Sequence, residues 1–188
     1  RIAATLNELG VTPHLVAGRN HLAIVVVRFS AHSYVEDQDQ WWMAGLHRSV
    51  FIEARGKVHV ADVRCRADLR LNDGAGLLSV RAEVAFVDSP VKGWGVHAWV
   101  ENIAGKRVAP LRTEPVPHRS HVPYLFSGHH VDVSWELSKV APWSAESPTG
   151  DRVRIDLNGP DGVIAQSTSQ LVGFRHVEVR DRQLQVNG

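Results

Sequence analysis

Cysteine is nearly missing from this sequence: Cys65 stands alone among 188 residues. A single thiol excludes an intrachain disulfide and a multi-cysteine zinc site, and it suits a reducing, cytoplasmic setting. Neither sign of charge is in excess, with 21 Lys and Arg against 20 Asp and Glu and a formal net charge of +1. Nucleic-acid or membrane-surface binding through bulk charge is therefore not expected. No apolar run approaches the roughly 20 residues that span a bilayer, and the opening RIAATLNELG has no signal-peptide character. A chain running from Arg1 to Asn187-Gly188 is expected to be part of something longer. Catalytic signatures are scarce too. There is no G-x-S-x-G elbow for a serine nucleophile, and Gly93-Trp94-Gly95 lacks the following glycine and helix start of a phosphate loop.

What is present is strand pattern. Leu22–Phe29, rich in β-branched residues after the turn signal Gly18-Arg19-Asn20, predicts a buried strand, and Ser49–Glu53 a short one. Neither has enough partners in its own segment to make a sheet, which needs three or more strands. Beyond a junction at Ala54–Lys57 the alternation becomes regular. Strands are predicted over Val58–Leu69, Gly76–Val87, Gly95–Val100, His129–Leu137, Arg152–Leu157 and Gly162–Gly173. In the second, Leu78, Val80, Ala82, Val84 and Phe86 share one face. Asn158-Gly-Pro-Asp-Gly162 signals a hairpin. About seven short strands with no long helical pattern predict an all-β fold, an antiparallel sandwich. Trp99 and Trp135 are expected in its core, and Trp143 as a plug between strands or, less simply, a sugar platform.

Residues able to carry chemistry fall in two places. The stretch YVEDQDQWWMAGLHRSV, Tyr34–Val50, gathers Glu36, Asp37, Asp39, Trp41, Trp42, His47 and Arg48. Carboxylates accept sugar hydroxyls or hold hard cations, and indoles stack on apolar sugar faces. Alternatively, the tryptophans fill a seam between two units and the acids are solvated. His118, His121, His129 and His130 form a second cluster. No helix presents the first two on one face, so surface or packing roles are expected rather than a metal site. Glu101, Glu114, Glu136 and Glu146 are scattered and read as solvated surface acids. Cys65, on a strand beside Val63, reads as a buried, inert thiol.

Four pieces, AGRNHLAIVVVR, SYVEDQDQWWMAGLHRSVFIEA, VAPWSAESPT and LVGFRHVEVRDRQLQVNG, together resemble the β-galactosidases of glycoside hydrolase family two. The resemblance implies that residues 1–54 are the C-terminal strands of a sugar-binding jelly roll and residues 55–173 the immunoglobulin-like sandwich. Residues 174–188 would lead into a catalytic (β/α)₈ barrel beyond Gly188, which would hold both catalytic glutamates. No catalytic residue is then expected in this chain. Asp39, the second aspartate of D-Q-D, would contribute to binding both the galactoside and a sodium ion. A magnesium ion is implied for the barrel, and a homo-oligomer is compatible with the resemblance. Arg48 is expected to be structural, pairing near the junction. The chain departs from the family at Gly150-Asp151-Arg152, where the family continues S-P-T with Leu-Tyr-Arg, and at Gln185-Val186-Asn187-Gly188, where Leu-Leu-Asn-Gly is usual. Two alternatives stand beside this reading: a β-glucuronidase- or β-mannosidase-type parent, and an independent carbohydrate- or protein-binding sandwich.

Overall fold

The structure, a computed structural model, describes residues 9–35, 45–46, 48–118 and 129–188. Spatial contacts divide the chain into two units, Arg1–Glu53 and Ala54–Gly188.

Among the described residues of the first unit the regular elements are two short 3₁₀ turns, Thr12–His14 and Ala31–Tyr34. The turn expected around Gly18 is there. The Asn20 side chain accepts from the Val16 N–H at 3.0 Å and donates to the Val16 carbonyl at 2.9 Å, closing the loop. The strand expected over Leu22–Phe29 is not formed, and neither is Ser49–Glu53. Leu22, Val25 and Phe51 are 62%, 87% and 68% exposed. A strand needs partners for its N–H and C=O groups and a surface for its side chains. No described residue of this unit supplies a ladder.

The second unit is a sandwich of two antiparallel sheets. One holds β1 (Val58–Arg70), β2 (Ala75–Phe86) and β5 (His129–Leu137) in the order β1-β2-β5. The other holds β3 (Gly95–Glu101), β4 (Arg112–Pro115), β6 (Asp151–Asn158) and β7 (Ile164–Val172) in the order β4-β3-β6-β7. A separate ribbon, β8 (Val177–Arg180) with β9 (Gln183–Val186), ends the chain. The all-β, antiparallel class read from the sequence is the class observed.

Alternation sets which side chains meet between the sheets. Leu78, Val80, Ala82 and Val84 of β2 are buried together with Val96, Ala98 and Val100 of β3 and Val153, Ile155 and Leu157 of β6. Each fully buried Val, Leu or Ile contributes roughly 1.5–3 kcal/mol, so this face dominates the stability of the fold. Trp135 is core as expected, and its indole N–H donates to the Pro110 carbonyl at 2.8 Å. Trp99 is not core. The phase of β3 is set by Val96, Ala98 and Val100, so Trp99 points to the opposite, outer face with His97 and Glu101.

Two glycines have local reasons. Gly162, with φ +77°, closes the β6–β7 hairpin in a backbone conformation that L side chains avoid. Gly76 lets β2 approach Val140 and Phe174, where an added Cβ would lie 2.5 Å from Val140 Cγ1 and 2.8 Å from the Phe174 ring. Phe174, 1% exposed, therefore belongs physically to the sandwich core.

Candidate functional site

Asp39, the one binding residue implied by resemblance, lies outside the described residues. So do Glu36, Asp37, Trp41, Trp42, His47 and His121. Gly45, with φ +106°, and Leu46 are the nearest described positions downstream, followed by an exposed Arg48. No ion pair joins Arg48 to another described residue.

The remaining histidines separate rather than converge. His129 is buried in β5, its Nδ1 2.9 Å from the Pro117 carbonyl and its ring edge-on to Phe86 with centroids 5.0 Å apart. His130, the next residue on the strand, faces outward with Nε2 3.8 Å from Asp132. His118 Nε2 lies 3.2 Å from the Pro90 carbonyl. Among the described residues no group of three or more His, Cys, Asp or Glu could hold a metal ion. Packing and surface roles account for these three.

Glu101 corrects the expectation of a solvated acid. Its side chain is 17% exposed. One oxygen accepts from the Trp99 indole N–H at 2.7 Å and the other from Arg154 Nε at 2.9 Å. Arg107 lies over the Trp99 ring, 5.3 Å from its centroid. The Trp99 hydrogen bond and then the Arg154 pair hold the carboxyl below the usual range. Such a group is a poor proton donor near neutrality, so this cluster fixes the outer face of the second sheet. The W-x-E spacing on one strand was the available signal. Glu136 bonds Arg70 Nη2 at 2.7 Å, whereas Glu114 and Glu146 are exposed as expected.

The outer face of the first sheet carries a depression lined by Asp62, Arg64, Arg81, Glu83 and His130. Arg81 grips Asp132 with two bonds, 2.8 and 3.1 Å, and Arg64 bonds Asp62 at 2.8 Å. The Arg81 pairing keeps the Asp132 carboxyl low. These ion pairs lace a solvated sheet face, without a nucleophile beside a base. Cys65, expected to be buried, is partly buried, and desolvation pushes its thiol up to about 11. Asp151, at a position where the resembled family has an aromatic, is raised by partial burial.

The architecture defines an all-β module built on an antiparallel sandwich. Comparison with known proteins then places it. Residues 3–55 match the family described as "Glycosyl hydrolases family 2, sugar binding domain". A β-galactosidase of Photobacterium profundum is 36% identical over 185 residues, covering 96% of this chain and 17% of that protein. A β-galactosidase of Lactobacillus delbrueckii subsp. bulgaricus is 30% identical, covering 98% of this chain and again 17% of the relative. The chain belongs to glycosyl hydrolase family 2. It spans about a sixth of the length of the curated relatives it matches.

Among solved structures, the β-glucuronidase of Parabacteroides merdae superimposes with a TM-score of 0.56 at 18% identity, over 70% of this chain and 15% of its own. That of Bifidobacterium dentium gives 0.55 at 17% identity, over 70% and 20%. At these identities the likeness is one of fold.

Proposed function

We propose that this chain is a non-catalytic part of a longer, cytoplasmic β-galactosidase-like hydrolase that cleaves terminal β-galactosides. In this reading residues 1–54 end a sugar-binding jelly roll, residues 55–173 form a sandwich that supports and orients a catalytic barrel, and residues 174–188 lead into that barrel. One observation carries it: 36% identity to a β-galactosidase that continues across 96% of the chain, through both units. The fold-level likeness to glucuronidases does not favour glucuronides, because a fold is shared among many sugars' hydrolases.

Asp39 is the residue assigned to the site, as an acceptor for a galactose hydroxyl and an oxygen ligand for sodium. One carboxylate does not make a cation site. The other oxygen ligands, and any magnesium, would come from the rest of the protein. Retaining hydrolysis needs two carboxyls about 5 Å apart across the glycosidic bond, and no such pair has a motif in this chain.

The test compares the 188-residue chain with the longer protein encoded by its gene. The longer protein is expected to hydrolyse nitrophenyl β-galactoside and the chain alone to be silent. Asp39→Asn in the longer protein should lower turnover at least tenfold while leaving thermal unfolding in place. Turnover by the chain alone, or a longer protein that cleaves glucuronides but not galactosides, overturns the reading.

A further inference from the structure

The terminal ribbon is built inside out. In the β8–β9 pairing Val177 lies opposite Val186 and Val179 opposite Leu184, while Glu178 lies opposite Gln185. Side chains alternate across a strand, so the four aliphatic residues share one face and the polar ones the other. The polar face is turned toward the protein: the Glu178 side chain is 26% exposed and the Gln185 amide oxygen is out of solvent. The aliphatic face is turned outward, with Val179 and Leu184 exposed at 73% and 72%.

Nor is the ribbon a loose tail. His176 Nδ1 sits 3.1 Å from Asp68, the His176 N–H donates to the Asn187 side-chain oxygen at 2.9 Å, and Asn187 Nδ2 donates to the Trp143 carbonyl at 3.0 Å. Arg175 lies over the Trp143 ring, 4.6 Å from its centroid. An anchored ribbon with its apolar side in water leaves free energy uncollected until something covers it.

We infer that the face formed by Val177, Val179, Leu184 and Val186 docks the polypeptide that continues past Gly188 in the longer protein. This rests on the reading that the chain is part of a larger hydrolase. Relatives at 30–36% identity are about six times as long, since the chain covers 17% of them. The face is carried by the last element, so a following domain would be tethered within a few residues of it. Size also favours a tethered occupant. Four aliphatic side chains fall well short of the roughly 800 Å² per partner that stable free association buries. A short tether supplies an effective concentration on the order of millimolar, for which a small patch suffices.

Thiol labelling by N-ethylmaleimide tests this, read at each site by peptide mass. Val179→Cys is compared with Val87→Cys, at an exposed turn position in the sandwich, in both the 188-residue chain and the longer protein. The ratio of the two rates should be near one in the short chain and fall at least tenfold in the longer one. An unchanged ratio overturns the inference, as does a gene with no domain after Gly188. A ratio already low in the short chain and falling with its concentration assigns the face to a second copy, and also overturns it. Galactoside hydrolysis is measured on the same longer protein. Protection without that activity sinks only the functional reading, and activity without protection sinks only the docking.

Discussion

Residues 22–29 and residues 76–86 are both dominated by aliphatic side chains, and they end in opposite states. The second run is β2, paired with β1 on one side and β5 on the other, with Leu78, Val80, Ala82 and Val84 each at most 2% exposed. The first has no ladder among the described residues, and Val25 and Val27 are 87% and 65% exposed. Composition does not separate them. Strand propensity spans only about 1 kcal/mol, whereas fixing one residue's backbone costs roughly 1–2 kcal/mol. Pairing and burial must make up the difference, and they come from neighbours. An apolar run without neighbours is a strand in waiting, which is what a segment that shares its sheet with other polypeptide would look like on its own.

The strongest test of this contrast removes one side chain from each run's unit. Phe174→Ala empties a core site between Gly76 and Val140 and should cost about 3–5 kcal/mol in urea unfolding. Val25→Ala should change stability by no more than about 0.5 kcal/mol. A Val25→Ala cost of several kcal/mol would mean the first run is buried in solution, and the comparison would fail.

A smaller effect probes how closely the second unit is fitted. Gly76→Ala places its Cβ against Val140 and the Phe174 ring at 2.5 and 2.8 Å. Overpacking of this kind costs about 1–3 kcal/mol. Combining it with Phe174→Ala should recover part of that cost, because the larger of the two obstacles is gone. Strict additivity in the double variant would show that Phe174 is not the group in the way.

The second unit was readable because its strands alternate and its turns carry Gly, Pro and Asn, so six strands were placed within a few residues. Four features were not. β4, Arg112–Pro115, has four exposed residues and exists through its pairing with β3 alone. The β8–β9 turn uses Asp181 and Arg182 at φ 52° and 65° without the glycine that normally marks such a turn. Trp99 looked like core because tryptophan usually is, while its neighbours set the phase. The Glu101–Arg154 pair joins residues 53 positions apart, a distance at which local pattern is silent. Of the site, Asp39 came from resemblance to a family motif, and the structure adds no geometry to it.

The smallest expected effect concerns pH and the outer face of the second sheet. Glu101 has its carboxyl lowered by the Trp99 hydrogen bond and the Arg154 pair. A carboxyl lower in the folded than in the unfolded chain binds fewer protons when folded. Its stabilisation is therefore fully present above the unfolded value, near 4.3, and is lost as pH falls through the folded one. Arg154 is 43% exposed, so solvent screens the pair and the gain is modest. Asp73 and Asp132 are lowered as well, by Arg70 and Arg81, so acid destabilises the whole unit and a single melting curve would not isolate Glu101. Glu101→Gln does. At pH 7 the variant keeps an acceptor for one partner but loses the charge, and it should melt below the parent chain. As pH falls below the unfolded value that contribution is progressively lost, and the gap between the two melting temperatures should narrow. A gap that stays constant from pH 7 to pH 3 would mean that Glu101 acts by shape and packing, not by charge.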